Sequence, residues 1–298
     1  MRTRAQIRML GDGRRLHLHD GPIDVIVEAF GDAGQVNAAY RAAGDRFVTI
    51  LDELCSELAL LRRPCCAESS WPEGRVARRM LAAVMPYASQ CFITPMAAVA
   101  GAVAEEILEA MMSAAELKRA YVNDGGDIAL HLGAGEQWVV GMVEGPDRPS
   151  LFGTTRLTAA DAVRGIATSG WRGRSFSFGI ADAVTVLAER AAAADAAATI
   201  IANAVDLPGH SAIVRVPARE IAPDSDLGDR LVTQKVGDLC ASEIDEALAS
   251  GVEPAKRLLR MGLIRAAALH LQGETRVAGS IGESKMMMPA CEGNLVHG

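Results

Sequence analysis

Tyr121-Val122-Asn123-Asp124-Gly125-Gly126-Asp127-Ile128-Ala129-Leu130 follows a helix-forming run and opens an apolar one. Two adjacent glycines sit among three side chains that bind through oxygen. Paired glycines let the backbone take φ > 0 and let another molecule approach the main chain closely. Asn, Asp and Gly are also the usual turn formers, so a tight hairpin or a helix-to-strand turn accounts for the same residues. A bound ligand is the second reading, because carboxylates beside such a turn can meet a ribose hydroxyl, a metal or a base edge.

Working outward, residues 127–132 read as a strand. Gly133-Ala134-Gly135 then turns the chain into a second strand at 137–143, a β-meander. Upstream, Met96 to Met112 is Ala-rich and helical in character, with Ala97, Gly101 and Ala104 offering a small-residue face. Residues 14–30 alternate polar and apolar around Asp20-Gly21-Pro22, an antiparallel hairpin. His17 and His19 share one face of its first strand, as a metal pair or as plain surface alternation. Apolar residues recurring every three to four positions predict a helix over 34–62, and Arg75 to Met85 reads as a second one stopped by Pro86.

Downstream, 151–157 and 162–168 read as short strands, the second ending in Thr168-Ser169-Gly170. The β-branched run 181–188 predicts a buried strand, and Ala191 to Val205 an Ala-rich helix closed by Pro208-Gly209. A strand at 211–216, an amphipathic helix at 235–250 and a part-helix, part-strand run at 255–271 complete the order. The tail from Gly282, with Met286-Met287-Met288-Pro289, reads as peripheral. Ala-Asp-Ala recurs at 160–162, 181–183 and 194–196, but such tripeptides carry no weight as duplication in so Ala-rich a chain. No Pro/Ser/Gly-rich linker divides residues 1–298, so the expectation is one α+β domain with mixed or antiparallel sheets packed with helices.

Half of the 298 residues are apolar and only 4% aromatic, so the core must be built from Ala, Val, Leu, Ile and Met. The net charge of −7 offers no basic field for nucleic acid, and Arg75, Arg78 and Arg79 read as a solvated helix face. Cysteines at 55, 65, 66, 91, 240 and 291 have no C-x-x-C spacing, which points to free thiols in a reducing compartment. Met1–Gln6 is followed by no apolar signal region, and the run Phe92 to Ala104 is broken by Pro95 and Gly101. It falls short of the ~20 residues that span a bilayer. A cytoplasmic protein without a membrane partner is expected.

Three segments can be combined into a site: the Asn123–Asp127 turn, Thr168-Ser169-Gly170, and Asp195 with Thr199. The last pair is four apart on the Ala-rich helix and so shares one face. A carboxylate and a hydroxyl with little bulk around them suit Mg²⁺, which takes oxygen ligands and commonly bridges to substrate phosphates. A first-turn Asp with a Thr behind it is the plain alternative. His210, after Pro208-Gly209, is either a base or a turn residue.

The chain resembles the ApbE family, the FAD:protein FMN transferases, in order over roughly residues 91–206. Thr94-Pro95-Met96-Ala97-Ala98-Val99-Ala100-Gly101 resembles its glycine-containing turn into a helix. Val122-Asn123-Asp124-Gly125-Gly126-Asp127 resembles its asparagine and Gly-Gly-Asp element, Ala167-Thr168-Ser169-Gly170 its Ser-Gly element, and Asp195-Ala196-Ala197-Ala198-Thr199 its Asp-Ala-x-x-Thr element. The closest likeness is to an uncharacterised branch of that superfamily.

The resemblance implies an ApbE-like fold, a small-molecule nucleotide ligand of the FAD type, and Mg²⁺ held by Asp195 and Thr199. A carbonyl near Val99 would complete the shell. Asn123, Gly125, Gly126, Asp127, Thr168, Ser169 and Gly170 would line the cofactor pocket. The implied activity is Mg²⁺-dependent phosphoryl or FMN transfer, or FAD hydrolysis; the alternative is a non-catalytic nucleotide-binding or assembly protein. Two departures bear on that choice. Ala100 stands where the transferases carry Lys, and 171–182 holds no His-x-x-Asp-Pro, with Arg172 and Arg174 offered as phosphate clamps or as a solvated loop. The small-residue surfaces and Met-rich tail permit a homodimer without requiring one.

Overall fold

Alternation of buried and half-exposed residues builds the first hairpin. β1 (Gln6–Met9) lies outside β2 (Leu16–Asp20), which pairs with β3 (Ile23–Phe30) across a turn in which Gly21 takes φ +58. Residues 4–145 and 148–279 are described by the computed structural model. The helices α1 (Ala33–Ser56), α2 (Leu58–Leu61), α3 (Arg75–Val84) and α4 (Val99–Ala114) follow. Then come β4 (Arg119–Asp124), β5 (Asp127–Leu132), β6 (Gln137–Gly145), β7 (Arg148–Thr158), β8 (Gly165–Ser169), β9 (Ala183–Ala188) and α5 (Ala191–Ala204). The chain continues through β10 (Ile213–Pro217), α6 (Ala218–Ile221), β11 (Leu231–Val236), α7 (Ala241–Arg260), β12 (Ala266–Leu271) and β13 (Glu274–Gly279).

The fold is α+β. Nine strands form one antiparallel sheet in the order β1-β2-β3-β4-β5-β8-β9-β12-β13. One face carries Leu18, Val25, Val27, Val122, Ala129, Val186 and Leu269, which share a core with α1, α3, α4, α5 and α7. On the other face Leu130, Leu132, Ile166 and Leu187 pack with Leu157 and Trp138 from the β6–β7 ribbon. Small residues set the closeness of the helix layer: nine of the fourteen residues of α5 are alanine, so its backbone comes near its neighbours.

Several boundaries differ from the sequence expectations. Residues 137–143 do not extend a meander. The free edge of β5 is taken by β8, through Ile128↔Ile166 and Ala129↔Gly165, and β6 instead pairs with β7 in a separate ribbon. The helix expected at 235–250 begins only at Ala241, where Cys240 and Glu243 form a capping box, because Leu231–Val236 is paired with β10. The α1 helix ends at Ser56 rather than 62, and α2 follows across Glu57. Arg79 is not solvated; it is ion-paired to Glu105, Glu106 and Glu109 of α4, while Arg75 pairs with Glu106 and Glu109.

The sheet also has an internal order that no tripeptide repeat disclosed. The series β2-β3, helices, β4-β5 is followed by β8-β9, helices, β12-β13, with the strands laid side by side in the same sequence. The two units meet at the short β5–β8 seam. Among the described residues no helix is long and apolar enough to cross a membrane. The tail from Gly282, expected to be peripheral, lies outside the described residues.

Candidate functional site

Asp124 and Asp127 face each other across a two-residue turn. Gly125 has φ +65 and Gly126 φ +114, the paired positive values that a type I′ hairpin demands and that L side chains resist. Asn123 Oδ1 accepts a hydrogen bond from Gly126 N at 2.9 Å. The turn reading therefore accounts for Asn123, Gly125 and Gly126. It does not account for two carboxylates on the helix-packed face of the hairpin, in line with Val122 and Ala129.

The second unit supplies the other wall. Asp195 lies one turn into α5, and its Oδ2 accepts from Gly101 N of α4 at 3.0 Å. Thr199 follows one turn later on the same face and is half-buried. The two helices are pinned at a second level: Glu105, one turn beyond Gly101, accepts from Ala192 N at 2.9 Å and pairs with Arg190 at 2.9 Å and Arg79 at 3.1 Å. Glu105→Ala removes the cap of α5 and leaves Arg79 short of a partner. It should lower stability by about 2 kcal/mol, read as a drop in the urea midpoint; an unchanged midpoint would rule out this clamp.

The aspartates stand in an environment that disfavours their charge. Burial, then the negative charge of Asp124, pushes the Asp195 carboxyl up to about 7, against the pull of the Gly101 and Ala100 amides. Burial, Asp195 and Asp124 in that order raise Asp127 well above the usual carboxylate range, with Thr168 N, 3.3 Å from its Oδ1, opposing. Burial brings Asp124 to about 7, opposed by the main chain of Asp24 and the guanidinium of Arg174. Asp127 and Asp195 each retain partial exposure, so the pair can be reached. Among the described residues none of the three is ion-paired within 4.0 Å.

That donor set suits one kind of ion. Among the described residues no three His, Cys, Asp or Glu side chains cluster tightly enough to form an all-protein metal centre. Mg²⁺ needs only one or two carboxylates and completes its octahedron with water and phosphate oxygens. Asp195 and Thr199 on α5, with Asp127 electrostatically coupled to Asp195, are the oxygen donors here that could serve such an ion.

The remaining candidates divide. Thr168 contributes its main-chain N–H to Asp127, while its hydroxyl is shared with Thr185 at 2.9 Å. Ser169 is half-buried beside it. Gly170 has a packing role, since a Cβ there would stand 2.4 Å from Asp182 O. Arg172 is bound to Asp182 at 2.6 Å and stacked on Trp171, whereas Arg174 reaches across to the hairpin. His17 is engaged by Asp24 and Arg8, and His210 by Glu243 at 2.9 Å and Ala212 N. Asp124 was placed in the turn by the sequence without being singled out as a site residue. Its signal was the symmetry of Asp-Gly-Gly-Asp, which in a two-residue hairpin puts both carboxylates on one face. Two surface cavities, of about 210 Å³ around Pro64–Ser70 and about 410 Å³ between β1 and α1, lie away from the aspartates.

A family model described as AbpE bacteria matches residues 7–277. A UPF0280 protein of Methanopyrus kandleri is 42% identical over 129 residues, 43% of this chain and 48% of that protein. One of Methanocella arvoryzae is 35% identical over 171 residues, 57% of this chain and 65% of the relative. One of Archaeoglobus fulgidus is 39% identical over 113 residues, 38% and 45% of the two chains. The chain thus spans about half to two thirds of the length of these curated relatives.

Proposed function

The chain belongs to the AbpE bacteria family, and from that premise we propose that it binds a flavin-type nucleotide through Mg²⁺ and performs phosphate chemistry on it. The observation that carries this reading is the nearness of Asp127 and Asp195, two desolvated carboxyls of which Asp195 raises the proton affinity of Asp127 and Asp124 that of both, with no ion-pair partner for either among the described residues. The ordered likeness of four segments to the ApbE transferases supports the choice of ligand.

Asp195 and Thr199 hold the ion, and Asp127 faces it from the hairpin. When bound, the ion would neutralise phosphate oxygens and stabilise the charge that builds during displacement at phosphorus. The amides of Gly101 and Ala100 keep the Asp195 carboxylate turned towards the gap. Gly125 and Gly126 leave bare backbone at the mouth. Asp124, held near neutrality, can take or return a proton there.

A second reading, a binding protein without transferase chemistry, is favoured by one feature. Ala100 replaces the Lys of the transferases, and its amide is committed to Asp195. Calorimetric titration of wild type and Asp195→Ala with FAD, with and without Mg²⁺, tests both readings. Binding is expected only for wild type with Mg²⁺, and about a hundredfold weaker or absent in the variant. Absence of binding by either protein in both conditions ends the flavin reading. FAD left intact for hours in a complex that does form favours the non-catalytic one.

A further inference from the structure

We propose that Arg174 is the residue that receives the phosphate of the ligand, a specificity determinant resting on the Mg²⁺-site reading above. Three carboxylates on a chain of net charge −7 repel any phosphate that approaches them. A bound divalent ion offsets part of that field, and a fixed cation at the mouth must supply the rest.

Two arginines lie in the loop between β8 and β9 that leads to the site, and the structure separates their roles. Arg172 is committed: its Nε donates to Asp182 Oδ1 at 2.6 Å, and its guanidinium stacks on the Trp171 ring, 4.5 Å from the centroid. Asp182 is itself buried and also accepts from Trp171 Nε1 and Gln272 N. Arg172 is therefore part of a fixed joint.

Arg174 is exposed and, among the described residues, has no carboxylate within ion-pair distance; its Nη2 donates to Pro22 O, at 3.3 Å. Its Nη1 stands 3.4 Å from where a Cβ on Gly125 would be. A Cβ on Gly126 would meet nothing within 4 Å, so the space over the turn is open. The guanidinium thus overhangs the double-glycine tip, close enough for its charge to be felt at Asp124. An Arg fork beside bare backbone, with a cation-binding carboxylate pair behind it, suits a phosphate that must be gripped by a metal on one side and two N–H donors on the other. The absence of side chains at 125 and 126 gives the phosphate its room.

The test uses Mg²⁺ alone and inorganic pyrophosphate with saturating Mg²⁺ as calorimetric probes, on wild type, Arg174→Ala, Arg174→Lys and Arg172→Gln. Mg²⁺ affinity should be the same in wild type and Arg174→Ala, or slightly tighter in the variant. Pyrophosphate should bind about tenfold or more weakly to Arg174→Ala, with Arg174→Lys between them because it keeps the charge and loses the fork. Arg172→Gln should match wild type. Equal pyrophosphate affinity in wild type and Arg174→Ala overturns the assignment, as does an equal loss in Arg172→Gln, which would reduce the effect to bulk charge. Failure of wild type to bind Mg²⁺ overturns instead the reading beneath it.

Discussion

In metal-free buffer at pH 8, Asp195→Asn melts above wild type, by about 2 kcal/mol or roughly 3–6 °C. The wild-type carboxyl is held at about 7 in the fold against an ordinary 3.8, so at pH 8 it has lost its proton and stands as a charge that burial and its neighbours disfavour. Its folded pKa is raised, so its contribution is most favourable below pH 4 and is lost as pH rises through about 7. Stability of wild type should therefore fall between those values and level off above. Asparagine keeps an oxygen for Gly101 N and turns an amide donor towards Asp127, removing one source of repulsion. The slope becomes shallower without vanishing, because Asp124 and Asp127 are raised in the same direction.

Millimolar Mg²⁺ should reverse the order. An ion that binds only the fold stabilises it by mass action, and the variant has lost the carboxylate that holds it. A site that weakens the fold until its ligand arrives is the expected trade between stability and function. Scanning calorimetry at pH 5 and 8, with and without Mg²⁺, reads all four states. An Mg²⁺-induced rise of equal size in both proteins would show that the ion binds elsewhere.

Much of this arrangement was legible in local chemistry. Gly21-Pro22 and Gly125-Gly126 announced two hairpins because few residues other than glycine tolerate their dihedrals. The run from Ala191 announced a close-packed helix because alanine combines propensity with minimal bulk. Asp195 and Thr199 announced a shared face through their spacing alone. What stayed hidden depended on partners distant in the chain. Nothing within 127–143 says that β8 will claim the edge of β5, so the ribbon of β6 and β7 was read as a continuation. Arg79 looked solvated because Glu105, Glu106 and Glu109 come one element later. The exposed four-residue β1 has no buried periodicity to detect. The packing of Gly170 against the main chain of Asp182 was equally out of view. Of the candidate site, Asp127 and Asp195 could be named from the sequence, but their coupling across the seam between the two units is a tertiary fact.

That seam makes Gly101→Val the most damaging single change expected in the helix layer. In a helix interior, propensity alone favours replacing glycine, by about 1 kcal/mol for alanine. Here a Cβ would lie 2.4 Å from Ala191 O and 2.7 Å from Ala192 N, against backbone that has no rotamer with which to yield. α4 and α5 must separate, and the separation propagates to two contacts at once: Gly101 N leaves Asp195, and Glu105 leaves Ala192 N. Overpacking of this kind costs about 1–3 kcal/mol for the first carbon, and valine adds two more in the same place. Gly101→Ala should therefore lower the urea midpoint despite its better helix propensity, Gly101→Val should lower it further, and Mg²⁺ should rescue neither as it rescues wild type. A midpoint for Gly101→Ala at or above wild type would mean that propensity decides this position and that the two helices are not held by backbone contact.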